Sequence, residues 1–98
     1  MLIPCSESSQ QVVIHLPEEF NFKVQRAFRK TYEQYPPNRD FVLDFNEVKF
    51  VDSSALGMLL VFRDFCGGEQ ARVRISKPSS AVRNMLEIAR FNELFHME

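Results

Sequence analysis

Apolar spacing along this chain alternates between strand-like runs and helix-like stripes, and a turn signal marks each change. Phe41-Val42-Leu43-Asp44-Phe45 is nearly continuous in apolar residues, the pattern of a strand covered on both faces. Residues 53–65 read as a helix, stopped by Gly67-Gly68. Arg72-Val73-Arg74-Ile75-Ser76 alternates like an outer strand with one wet side. Lys77 to Ser80 forms a turn and cap. Ala81 to Ala89 reads as a further helix, with Val82, Met85, Leu86 and Ala89 on one face. Phe91 to Phe95 is a short apolar tail or last turn.

Upstream, Gln11-Val12-Val13-Ile14-His15-Leu16 is a β-branched run, and Leu2-Ile3 is placed to pair with it across the polar turn Ser6-Glu7-Ser8-Ser9. Between Phe20 and Tyr35, Phe20, Val24, Ala27, Phe28, Thr31, Tyr32 and Tyr35 fall at helical spacing, until Pro36-Pro37-Asn38 ends the pattern. The order β(β)αβαβα predicts a single α/β domain over residues 1–98. Its sheet is mixed but mostly parallel, with four to five strands, three to four helices, right-handed crossovers and an opening antiparallel hairpin.

Composition narrows the function classes. Ninety-eight residues, 45% of them apolar, support one core but not two. Ten Phe and no Trp point to an aromatic core. The net charge of -1 is spread over interspersed signs, which argues against a nucleic-acid partner. The small basic patch Arg26, Arg29 and Lys30 is read as a solvated helix face. Cys5 and Cys66 lack metal-ligand spacing and are read as two buried, reduced thiols, with a disulfide as the alternative. The N-terminus lacks the pattern of a secretory signal. The longest apolar run, Ala55 to Phe62, has eight residues against the ~20 that span a bilayer. A soluble cytoplasmic protein without a membrane partner is expected, with no cofactor and no metal. His15 and His96 form no pattern with Cys or carboxylates, so an enzyme is not expected. Asp44 and Lys77-Pro78 are similar to elements of receiver domains, but the acidic pair that would hold magnesium is missing. Asp44 is therefore read as capping a strand-to-loop turn.

One stretch looks like a site: Val51-Asp52-Ser53-Ser54-Ala55-Leu56-Gly57, at the start of the helix over 53–65. The ordinary reading is an N-cap. Two features exceed it. Three capping-type residues stand where one suffices, and the helix they open is apolar on nearly every side. A surface helix needs one apolar face, so the surplus implies a contact surface. On a helical wheel Ser54, Met58, Val61 and Phe65 share a stripe assigned to a partner. Leu56, Leu59, Leu60 and Arg63 share one assigned to the sheet.

Asp52-Ser53-Ser54-Ala55-Leu56-Gly57, after an apolar strand and before an apolar helix, resembles the signature of the STAS domain. More narrowly it resembles the stand-alone bacterial anti-sigma factor antagonists. The resemblance implies that Ser54 is a phospho-acceptor and that Asp52 and Ser53 shape the loop before it. Ala55 stands where the family more often has Gly, which stiffens the loop. It implies partner binding through Asp52, Ser53, Ser54, Ala55, Met58, Val61 and Phe65. The unmodified form would bind an anti-sigma factor, often of serine-kinase fold; phosphorylation would release it and a phosphatase would restore it. A weak homodimer through the apolar helix face stays open. The alternative is a STAS subunit that braces an ABC transporter's ATPase in phospholipid trafficking without phosphorylation. Such subunits usually carry Thr or Ala near the positions of Ser53 and Ser54, and the Ser-Ser pair favours the switch.

Overall fold

A computed structural model describes residues 2–98. Its strands are β1 (Cys5–Glu7), β2 (Gln11–His15), β3 (Asp40–Asp44), β4 (Val73–Ser76) and β5 (His96–Met97). Its helices are α1 (Gln25–Glu33), α2 (Ser53–Phe65) and α3 (Ser80–Ile88), with short 3-10 turns at Phe22–Val24, Gly68–Gln70 and Phe91–Glu93. The sheet runs β1-β2-β3-β4-β5, with β1 antiparallel to β2 and every other pair parallel. The α/β class, the hairpin and the parallel crossovers agree with the sequence reading.

Sequential strand order has a consequence for layering. Each right-handed crossover advances the sheet in the same direction, so α1, α2 and α3 pack on one face. Val12, Ile14, Phe41, Leu43, Val73 and Ile75 point to that face and join the helices in one buried cluster. Aromatic rings fill its centre: Phe62 lies 5.2 Å from Phe41, 5.5 Å from Phe28 and 4.8 Å from Tyr32, centroid to centroid.

The expectation that β3 is covered on both faces is therefore corrected. Val42 faces away from the helices, in register with Val13 and Arg74. It is nonetheless only 6% exposed. The Arg74 side chain reaches across β3 to donate to Gln11 Oε1 at 2.8 Å, and its aliphatic stem screens the strand.

Other differences have local causes. The first strand is Cys5–Glu7 rather than Leu2-Ile3, because the turn closes later: Ser8 Oγ accepts from the Gln10 and Gln11 amides at 3.2 and 3.1 Å. Ile3 instead plugs the core. β4 is an inner strand, not an outer one, because the two-residue β5 pairs along its free side. The helix expected from Phe20 starts at Gln25. A 3-10 turn precedes it, capped by Asn21, whose Oδ1 accepts from the Lys23 amide at 3.0 Å. Both cysteines are free; Cys66 is buried, but Cys5 is only half-buried, with its Sγ 3.2 Å from the Tyr35 hydroxyl. Burial pushes the Cys66 thiol up to about 12. No helix among the described residues is long and apolar enough to cross a membrane.

Candidate functional site

The start of α2 is built by one carboxylate. Asp52 holds the extended N-cap conformation, and its Oδ1 accepts from the Ala55 amide at 2.9 Å. The same oxygen accepts the Ser54 hydroxyl proton at 2.7 Å. The Ala55 amide, then the Ser54 hydroxyl, hold the Asp52 carboxyl below the usual carboxylate range. Ser54 Oγ in turn accepts from the backbone N–H of Phe22 at 3.1 Å, a partner 32 residues away in sequence. The hydroxyl thus ties the first turn of α2 to the segment before α1. Ser54 is half-buried and Ser53 exposed.

The expected site residues do not all share a surface. Asp52, Ser53, Ser54 and Val61 are accessible; Val61, two turns on from Ser54, is 54% exposed. Ala55 and Met58 are not, at 0% and 6% exposed, so the assignment of Met58 to an outer stripe and the expectation that Ala55 touches a partner are corrected. They point under the helix, where Met58 and Val61 line a small cleft with Gln25, Phe28, Arg29 and Tyr32 of α1. Phe65 is half-buried, its ring 4.9 Å from that of Tyr32. The other stripe is split too. Leu59 faces the core at 0% exposed, whereas Leu60 is 45% exposed. α1 flanks α2, so the apolar side of α2 needs to cover both a neighbouring helix and the sheet.

Two further residues belong to this face. Phe22 is 65% exposed and Phe50 is 59% exposed. Phe50 precedes Asp52 by two residues and is bridged to Glu19, which precedes Phe22 by three. Leu60 and Val61, past the middle of α2, are also exposed, which makes four large exposed apolar side chains on α2 or in the segments leading to its start. Sequence reading missed both phenylalanines. The available signal was that each falls off its neighbours' apolar stripe, next to a lysine.

A second polar cluster lies at the ends of β2 and β3. His15, expected to lack a carboxylate, has its Nδ1 2.8 Å from Asp44 Oδ2. Asp44 Oδ1 accepts from the Asn46 amide at 2.9 Å, the turn cap read from sequence. Burial alone would push the Asp44 carboxyl up. The Asn46 amide, His15 and Lys77 together outweigh it and hold the group below its ordinary value. Ser76 stands opposite Asp44 on β4, which gives the row His15, Asp44, Ser76 on three adjacent strands. The carboxylate is central. The backbones of His15 and Ser76 are two strand spacings apart, about 10 Å, and the contact the imidazole makes is with Asp44, between them. Among the described residues no group of three or more His, Cys, Asp or Glu side chains lies together as a metal site. A surface hollow of about 650 Å³ opens at the opposite end of the strands, lined by Gln11, Asp40, Arg72, Arg74 and His96. Its arginines are already engaged, Arg72 with Asp40 at 2.8 Å and Arg74 with Gln11.

Comparison with known proteins agrees with this architecture. Residues 4–96 match the sequence model of the family described as "Mlab, STAS domain". A STAS-domain containing protein of Pseudomonas aeruginosa (strain UCBPP-PA14) is 38% identical over 91 residues, which cover 92% of this chain and 90% of that one. A crystal structure of a putative anti-sigma factor antagonist from Thermotoga maritima superposes with a TM-score of 0.82 at 17% identity, covering 97% of this chain and 84% of that one. The anti-sigma factor antagonist SpoIIAA, in its unphosphorylated form, superposes with a TM-score of 0.77 at 18% identity, over 98% of this chain and 87% of that one. The two structures establish the shared fold, and the sequence matches establish descent: this chain belongs to the STAS-domain family.

Proposed function

We propose that this protein is an anti-sigma factor antagonist that works by partner switching in the cytoplasm, binding rather than catalysing. Its unmodified form binds an anti-sigma factor or serine-kinase regulator through the Ser54 end of α2; phosphorylation of Ser54 releases that partner, and a phosphatase resets the switch. The observation that carries this reading is the position of the Ser54 hydroxyl: on the first turn of a helix, bonded to the amide of the exposed Phe22, with Leu60 and Val61 exposed further along the same helix. The names of the structural neighbours agree, and SpoIIAA is known in both unphosphorylated and phosphorylated forms.

The physics is simple. A neutral hydroxyl already paired within the chain lets an apolar surface close over it. A phosphoserine carries about -1.5 to -2 charges, here beside the ionised Asp52. The helix N-terminus tolerates that charge in the free domain. Drying it at an interface built for a hydroxyl costs about 3 kcal/mol or more, on the order of a hundredfold in affinity.

Incubation with ATP and the cognate serine kinase, followed by mass spectrometry, should find a single phosphate on Ser54 and none on Ser54→Ala. Phosphate on Ser53 instead, or none, contradicts the reading. A second reading, a constitutive subunit bracing an ABC transporter's ATPase, is favoured by the bonding of the hydroxyl, which is engaged on both sides as a purely structural serine would be. Absence of phosphorylation together with capture of an ATPase by the unmodified protein would select it.

A further inference from the structure

We propose that the Ser54 hydroxyl is the pin that fixes Phe22 on the interaction face, so that phosphorylation acts by unpinning an aromatic anchor as well as by adding charge. The inference rests on the reading of Ser54 as the modified residue. It adds a conformational consequence in a different part of the chain.

Residues 21–23 bridge two buried anchors, Phe20 at 1% exposed and Val24 at 4%. Between them the chain is short and outward-facing, and the Phe22 ring is 65% exposed, so core packing does not hold it. Two kinds of contact fix it. Asn21 closes the turn on itself, its side chain accepting from the Lys23 amide and its carbonyl from the Val24 amide at 3.0 Å. That sets the shape of the turn but not its place against α2. The Phe22 N–H to Ser54 Oγ bond, 3.1 Å long, makes the link to α2.

The hydroxyl is well suited to the task because its two roles reinforce each other. Its proton is given to Asp52 Oδ1 at 2.7 Å, which turns the oxygen's lone pairs toward the Phe22 amide. Donating to a carboxylate also makes it a better acceptor. Phosphoryl transfer removes both roles. The Oγ–P bond forms as the bond from the γ-phosphorus of a nucleoside triphosphate to its bridging oxygen breaks. The nucleoside diphosphate leaves with that oxygen, and the hydroxyl proton passes to a base of the kinase and on to solvent. The Oγ left behind is an ester oxygen with no proton for Asp52. The added dianion is repelled by Asp52 and turns toward the space occupied by residues 21–23. The Phe22 amide has to lose its acceptor or move to meet a phosphate oxygen, and either event displaces the ring.

The test needs neither kinase nor partner. In the full-length protein, the solvent-exchange rate of the Phe22 amide is measured by NMR in four forms: wild type, Ser54→Ala, Ser53→Ala, and protein with phosphoserine incorporated at position 54. Loss of one hydrogen bond predicts about fivefold faster exchange in Ser54→Ala. A shifted Phe22 amide resonance is expected in the phosphorylated form. Ser53→Ala should match wild type, because no bond links Ser53 to this segment. Equal exchange in wild type and Ser54→Ala overturns the pin, as does an equal effect from Ser53→Ala. An unchanged Phe22 resonance in the phosphorylated protein overturns its regulatory use. None of these results depends on whether a kinase modifies Ser54 in the cell, so failure of the functional reading is detected separately, by the mass spectrum.

Discussion

At the scale of single residues, two aspartates each accept a backbone amide at a helix start or a turn, and they use that anchorage differently. Asp52 caps α2 and orients the Ser54 hydroxyl, so its charge serves the site. Asp44 joins the ends of β2 and β3 through His15 and closes its own turn onto the Asn46 amide, so its charge serves the sheet. Because the folded Asp44 carboxyl lies below its ordinary value, the stability it contributes is present above the unfolded pKa near 3.9 and is lost as pH falls through the folded value. Asp44→Asn should therefore cost about 1 kcal/mol at neutral pH, roughly 4–8 °C in Tm. The gap from wild type should shrink at pH 3. Thermal melts at the two pH values check this, and an equal loss at both would show that Asp44 acts through shape rather than charge.

At the scale of elements, α2 is informative because its limits were legible in the sequence and its orientation was not. Asp52 as cap and the glycines at 67 and 68, with φ of 108° and 62°, set the ends of the helix by local chemistry alone. Apolar residues all around the helix left the wheel without a preferred direction, so Met58 was placed outside and Leu60 inside, the reverse of what is found. Phe28 and Tyr32 of α1, together with Phe41 of the sheet, decide the matter, and they are remote in sequence. Gly57 sits on the exposed side of α2, and a Cβ added there meets nothing within 4 Å. Gly57→Ala should raise stability by about 0.5–1 kcal/mol while weakening partner binding, since the new methyl would stand on the surface that closes against the partner. Denaturant melts and a binding titration separate the two effects. Stabilisation without loss of affinity would move the partner off this side of the helix.

At the scale of the whole molecule, a singly wound sheet divides the labour between its faces. Three helices cover one side and bury the phenylalanine cluster; the other side is polar, with Val42 screened by Arg74 rather than by a layer. This one-sidedness was not legible in the run Phe41 to Phe45, because it follows from strand order and not from any local pattern. β5 was missed because two residues carry no periodicity, and Phe22 because its place on the face depends on a bond to Ser54 across 32 positions. What the sequence did carry was the alternation of elements, from which the architecture followed, and the Asp52-Ser53-Ser54 motif at the head of α2, whose resemblance to the STAS signature singled out the candidate hydroxyl of Ser54.

The claim on which the account turns is that one phosphate on Ser54 closes a surface that is otherwise open to a protein partner. Isothermal titration of the proposed anti-sigma factor partner into unmodified protein and into protein carrying phosphoserine at position 54 measures it directly. The account predicts tight binding in the first case and a loss on the order of a hundredfold in the second, with the fold unchanged by circular dichroism. Equal affinities for two correctly folded forms would contradict it.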